Sequence, residues 1–180
     1  MLGDIDIRCD VPKYRMFHDG VLKEEIGDLK ECWQDDFVTF VIGCSFSFEE
    51  ALIKEGVPIR HIEMGRNVPM FNTSVLNESN GIFGGNLVVS MRPLTPENAM
   101  RAQEITSRYS KVHGGPVHLG IPAAIGITDI NKPDYGDAVE IKEGEIPVFW
   151  ACGVTPQNAV MDAKPDVCIT HSPGYMLVLD

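Results

Sequence analysis

Apolar and polar positions alternate in short runs along most of this chain, and glycine and proline punctuate the runs. Residues 5–22 predict short strands, with Asp19-Gly20 as a tight turn between Tyr14-Arg-Met-Phe17 and Val21-Leu22. From Trp33 to Ile42 the period changes: Phe37, Phe40 and Val41 fall at helical spacing, and Asp35 and Asp36 suit the positive end of a helix dipole. Gly43 offers a stop. Ser47 and Glu50 have capping-box spacing for a helix Phe48–Glu55, closed by Gly56. Residues 57–85 are rich in Gly, Asn, Pro and Ser with little periodicity, which predicts a long irregular stretch of functional or flexible character.

A thirteen-residue pattern then occurs twice. Val88-Val-Ser-Met-Arg-Pro-Leu-Thr-Pro-Glu-Asn-Ala-Met100 is echoed by Val148-Phe-Trp-Ala-Cys-Gly-Val-Thr-Pro-Gln-Asn-Ala-Val160, with identities at Val88/Val148, Thr95/Thr155, Pro96/Pro156, Asn98/Asn158 and Ala99/Ala159. Each copy predicts a buried strand, a short loop and a helix opening at Thr-Pro, since threonine caps well and proline fits the first turn. The first unit is a strand Leu87–Met91 and a helix from Pro96 to about Arg108 with Ala99, Ala102 and Ile105 on one face. The second is a strand Val148–Cys152 and a helix Pro156–Ala163, followed by strands Val167–Thr170 and Met176–Leu179. Between the units, Gly114–Gly126 is Gly/Pro-rich with a short strand Val117–Leu119, and Asp129–Glu145 reads as a surface excursion turning at Asp134-Tyr-Gly-Asp137. The fold class is therefore α/β with a mixed sheet and two similar strand–Thr-Pro–helix units, either an internal duplication or a chance recurrence of a common helix start. In the duplication reading, strand ends carrying Arg92 and Cys152 face one cleft, with His113 and His171 on the loops that follow.

At 180 residues the chain suits a single domain, with 1–85 and 86–180 as candidate lobes. Its opening, Ile5-Asp-Ile-Arg-Cys-Asp-Val-Pro-Lys-Tyr-Arg15, reads as the middle of a β region, so a further N-terminal segment is expected. A net charge of −11 argues against nucleic acid and anionic membranes as partners, because phosphate binding needs clustered Lys and Arg. No apolar run approaches the roughly 20 residues of a membrane helix. The five cysteines are scattered without a Cys-x-x-Cys, which points to reduced thiols and a cytoplasmic setting.

The densest polar cluster is His61, Glu63, Arg66 and Asn67. An arginine beside a glycine turn can grip a carboxylate through two parallel bonds, and a nearby His or Glu can move a proton; a surface loop with an ion pair would look the same. Ser107 and Arg108 end the first Thr-Pro helix, where capping is the simpler role. His113-Gly-Gly-Pro-Val-His118 could supply two ligands of a divalent metal, with His171 or Glu63 as a third. Cys152 before a helix start is either a low-pKa nucleophile or an inert core residue. Ser47 reads as a cap. No Gly-x-Ser-x-Gly elbow and no glycine-rich phosphate loop is present.

Several long segments together resemble the D-glutamate cyclase-like family, which carries the hydro-lyase name. They are Gly43-Cys-Ser-Phe-Ser-Phe-Glu49, Arg60-His-Ile-Glu-Met-Gly-Arg-Asn-Val-Pro-Met70, Val88-Val-Ser-Met-Arg-Pro93, Ile105-Thr-Ser-Arg-Tyr109, Val112-His-Gly-Gly-Pro-Val-His118, Pro147-Val-Phe-Trp-Ala-Cys-Gly-Val-Thr-Pro-Gln157 and Ile169-Thr-His-Ser-Pro-Gly174. The resemblance spans nearly the whole chain. It implies a carbon–oxygen lyase of amino-acid metabolism that converts D-glutamate to 5-oxo-D-proline and water, and it implies family members with an additional N-terminal segment. For that chemistry Arg66 or Arg108, with Asn67 and Ser107, would hold the substrate carboxylate. His113, His61 or Glu63 would take the ammonium proton, with Cys152 as a further candidate. Amides at Gly114-Gly115 or at Thr155-Pro-Gln157 would face the tetrahedral oxyanion, and His171 would assist hydroxide departure. The alternatives are a non-catalytic binding protein for a small amino or carboxylic acid, and a metal-assisted hydro-lyase on another small acid. A homo-oligomer is compatible with all three.

Overall fold

The computed structural model describes residues 4–178. Its strands form two antiparallel sheets, joined by four helices and three short 3-10 turns. Strands β1 (Tyr14–His18) and β2 (Val21–Ile26) make a hairpin across Asp19-Gly20, both in the positive-φ conformation that a tight two-residue turn demands. Strand β7 (Cys168–His171) pairs with the other edge of β1. The larger sheet has the order β3 (Met70–Leu76), β4 (Asn86–Leu94), β6 (Ile146–Ala151), β5 (His118–Leu119). The helices are α1 (Glu49–Lys54), α2 (Arg60–Glu63), α3 (Pro96–Ser107) and α4 (Thr155–Ala163).

Strands and helices alternate as the sequence predicts, but every observed strand pairing is antiparallel, so the expected single mixed sheet is two antiparallel ones. The two repeat strands explain much of this. They are hydrogen-bonded neighbours running in opposite directions, with Arg92 opposite Val148 and Val89 opposite Ala151. Helices α3 and α4 consequently leave from opposite ends of the sheet, and the two strand ends do not meet at one cleft. The caps differ as well. Thr95 accepts a bond from Asn98 N in the expected way, whereas Thr155 turns its hydroxyl to the backbone of Val88.

Pleating gives the larger sheet two faces of different character. One face carries Met91, Val89, Phe149 and Phe71, covered by Ile125, Ile127 and Val139 from the following loops. The excursion Asp129–Glu145 is thus partly core. The other face carries Leu94, Val148 and Trp150 under Phe48 and Leu52 of the α1 region and Ala99, Ala102 and Ile105 of α3. At its far end Val88 and Cys152 pack with Val68, Met70 and Val154. Between those two apolar groups the same face presents Ser90 and Arg92, both fully buried.

Two segments depart from the sequence reading. Trp33–Ile42 is not helical, and Val38, Phe40, Val41 and Ile42 are exposed. Its β-branched residues resist helix, and without a buried face no tertiary packing compensates. Conversely, residues 57–85 contain α2 and β3, whose alternation (Met70, Phe71 and Thr73 buried, Asn72 and Ser74 exposed) was masked by polar composition. The Ser47 cap is absent: Ser45–Phe48 is a 3-10 turn and α1 has no side-chain cap. No strand forms over residues 176–178, and the last residue of that expected strand, Leu179, lies outside the described ones.

Candidate functional site

The buried polar patch on the inner face is the most unusual chemistry in the fold. Arg92 donates from Nε to Glu49 Oε1 at 2.8 Å and from Nη2 to the same oxygen. Its Nη1 donates to Ser90 Oγ at 3.0 Å, and Nη2 also reaches Ser45 Oγ at 3.3 Å. The guanidinium lies over the rings of Phe48 and Trp150, 5.5 and 5.3 Å from their centroids, so the cation is satisfied on all sides. Glu49 is brought there by the 3-10 turn, which places Ser45 and the first residue of α1 over β4.

His61, from α2, completes the patch. Its Nε2 is 3.3 Å from Glu49 Oε1, within ion-pair distance but not aligned as a hydrogen bond. Both ring nitrogens are buried without a hydrogen-bond partner among the described residues. An orphaned buried polar group costs about 1–3 kcal/mol, so its persistence points to a use. Burial works to raise the Glu49 carboxyl, but the contacts with His61 and Arg92 outweigh it and hold the group below its ordinary value. Arg92 supplies the permanent charge in that effect, and an N–H of His61 facing the carboxylate adds to it.

His113 borders the same patch. Burial pushes its pKa down and the Arg92 charge adds to this, so the ring is neutral near pH 7; its Nε2 is also buried and unpartnered. A left-handed backbone at His113 (φ 82°) ends the 3-10 turn Ser110–Val112, which lies against Gly43. A Cβ on Gly43 would stand 2.2 Å from Val112 Cγ1, so the glycine permits the approach. His113 and Cys44 are only partly buried.

A sequence profile described as D-glutamate cyclase matches residues 38–180, and these include every member of the patch. The chain belongs to the D-glutamate cyclase family. It is 62% identical over 177 residues to a protein of Bordetella petrii named "Putative hydro-lyase", covering 98% of this chain and 67% of that one. Proteins of the same name from Bordetella pertussis and Burkholderia cenocepacia are 61% and 59% identical, again over 98% of this chain. The chain spans 64% and 69% of their lengths.

Set against this patch, the residues singled out from the cyclase-like motifs divide sharply. His61 lies in it and His113 borders it. Glu63 is on the outer side of α2, half exposed and bonded to Arg60 at 3.0 Å. Arg66 is exposed and donates to the Ala138 carbonyl, while Asn67 N donates to Asp137 at 2.9 Å. Arg108 is exposed, paired with Glu104 at 2.8 Å, and Ser107 bonds back to the Gln103 carbonyl. The Gly114 amide is spent on Tyr109 O and the Thr155 amide on Cys152 O. A Cβ on Gly115 would press on Ser107 Oγ. Gln157 is buried, with Nε2 donating to the His171 carbonyl at 3.1 Å. His171 itself is in β7 of the smaller sheet, its Nδ1 2.8 Å from Ser172 O. Burial pushes the Cys152 thiol up to about 11, so it is not a thiolate at neutral pH.

No three His, Cys, Asp or Glu side chains among the described residues converge as a metal-binding group; His118 Nε2 is 2.9 Å from the Ile121 carbonyl. No helix of the described residues is long and apolar enough to cross a membrane. A shallow surface groove of 260 Å³ lined by Lys54, Glu55, Arg108 and Tyr109 is separate from the patch. The site partners missed from sequence were Glu49, Ser45 and Ser90, while Arg92 was expected at a cleft but without these partners. One signal was available: Arg92 is a lone charge in the run Val88-Val-Ser-Met-Arg-Pro-Leu94, and a charge in a buried strand requires a partner.

Proposed function

We propose that this protein is a hydro-lyase that cyclises D-glutamate to 5-oxo-D-proline and water, with the Glu49–His61–Arg92 patch and His113 handling the protons. Family membership and the hydro-lyase name of its relatives support the reaction class. The observation that carries the assignment to this patch is the presence of unpartnered, buried imidazole nitrogens on His61 and His113 beside a buried ion pair.

Cyclisation requires the α-ammonium to lose a proton before its nitrogen attacks the γ-carboxyl carbon, and hydroxide then leaves with a proton supplied. One imidazole accepts the first ammonium proton and returns it to the leaving oxygen, and the nitrogen's second proton, shed once the C–N bond has formed, completes the water as the C–O bond breaks. Ring closure is intramolecular, so holding glutamate folded supplies a large share of the acceleration. A patch without bulk water strengthens each of these charge interactions. The competing reading, a small-acid binding protein, draws on the Lys54/Arg108 groove. The two separate on turnover. Incubation with D-glutamate or L-glutamate, with and without a divalent metal, is followed by proton NMR for 5-oxoproline. Conversion of the D-enantiomer supports the lyase; binding without conversion of either enantiomer supports the alternative, and conversion only with metal supports a metal-assisted reaction.

A further inference from the structure

We infer that Arg92 is a positioning residue: it fixes the Glu49 carboxylate, and Glu49 holds the His61 imidazole with its proton on Nε2, leaving the Nδ1 lone pair as the base. This deepens the lyase reading and rests on the buried patch being its catalytic centre.

Three observations carry it. First, Arg92 is fully buried, and its donors are distributed over Glu49, Ser90 and Ser45 while aromatic rings lie against its plane. A substrate carboxylate would have to displace Glu49 to reach it, so a clamp role is disfavoured by geometry. Second, the contacts of Glu49 converge on one oxygen: Nε and Nη2 of Arg92 and Nε2 of His61 all approach Oε1. That oxygen is thereby held opposite the His61 ring. Third, the nitrogen of His61 that faces this oxygen is Nε2, at 3.3 Å. A lone pair there would point at a negative oxygen, whereas an N–H would be attracted to it, so the carboxylate selects the Nε2–H tautomer. Nδ1 is then the unprotonated nitrogen, buried and without a partner among the described residues.

The proton balance is simple. The substrate ammonium gives a proton to Nδ1 and its nitrogen bonds the γ-carboxyl carbon; the nitrogen's second proton and the Nδ1 proton then pass to one carboxyl oxygen, whose C–O bond breaks as water leaves, while Glu49 stabilises the transient imidazolium through Nε2–H and itself takes no proton. The misaligned 3.3 Å contact would tighten when the ring becomes charged, as catalytic hydrogen bonds often do.

The test starts on the wild-type protein and needs no turnover. Long-range proton–nitrogen correlation spectra of ¹⁵N-histidine-labelled protein should show His61 as a single Nε2–H tautomer. An Nδ1–H tautomer, or an even mixture, would overturn the inference whether or not D-glutamate is the substrate. Arg92→Lys keeps the charge but not the paired donors. In the folded variant the tautomer should become mixed, and 5-oxoproline formation should lose at least tenfold in kcat with KM changed less than twofold. A KM increase with kcat retained would instead make Arg92 a substrate clamp. Should Arg92→Lys fail to fold, Ser90→Ala removes the Nη1 partner more gently and should show the same kcat loss in weaker form; an unchanged kcat in it would count against the inference. Absence of any turnover by wild type, with the Nε2–H tautomer present, would refute the D-glutamate reading and leave the positioning of His61 intact.

Discussion

Removing Arg92 while leaving Glu49 in place should be among the most damaging single changes to stability in this fold. In Arg92→Met the aliphatic volume is largely kept, but the Glu49 carboxylate loses its permanent counter-charge in a site where its side chain is 6% exposed. Breaking one side of a buried pair costs about 3–5 kcal/mol. Loss of the cation over Phe48 and Trp150 adds about 1 kcal/mol. Against a total stability of about 5–15 kcal/mol, the single variant is close to unfolding. The double variant Arg92→Met/Glu49→Leu removes both charges and leaves the Ser45 and Ser90 hydroxyls to each other, 3.5 Å apart, with His61 unpaired. It should recover about 2–3 kcal/mol relative to Arg92→Met, a coupling within the range for contacting residues. Urea unfolding followed by far-ultraviolet circular dichroism measures all three proteins, with equal slopes required for the comparison. A cost below about 1 kcal/mol for Arg92→Met, or a double variant less stable than the single one, would refute the description of the patch as a mutually dependent ion pair.

Other consequences follow from the same geometry. Because the His113 pKa is depressed in the folded state, its contribution to stability is present above pH 6.5 and is lost as pH falls below that value; His113→Gln should flatten this limb of the stability–pH curve. With its thiol raised to about 11, native Cys152 should resist iodoacetamide at pH 8 while the denatured protein reacts, and mass spectrometry of the Cys152 peptide reads the difference. Gly43→Ala puts a methyl group into Val112 and should cost about 1–3 kcal/mol with loss of turnover; an unperturbed variant would mean that the approach of these loops does not shape the site.

The sequence made the regular elements of this fold readable where a local rule governed them. Asp19-Gly20 specified a hairpin, Thr95-Pro96 a capped helix, and the runs Leu87–Met91 and Val148–Cys152 two buried strands. It misled where local pattern and tertiary context disagree. Trp33–Ile42 has helical spacing but no surface to bury against, and β3 hides in a polar stretch because its alternate residues face solvent. The site was half legible. His61 and His113 stand out as chemical residues in glycine- and proline-bounded motifs. Glu49 and Arg92 do not, because they lie 43 residues apart and one looks like a helix start, the other like a strand end. Their partnership is a property of the sheet face onto which α1 folds. Arg66 and Arg108 drew attention through turn and cap positions, yet those positions are what keep them on the surface.

The central claim, that the buried patch performs the family's chemistry, is tested most directly by comparing 5-oxo-D-proline formation from D-glutamate in wild type and in folded His61→Gln. Wild type should convert D-glutamate measurably, and the variant should lose at least about 100-fold in kcat, the usual scale of a missing general base. Equal rates in the two proteins would contradict the claim.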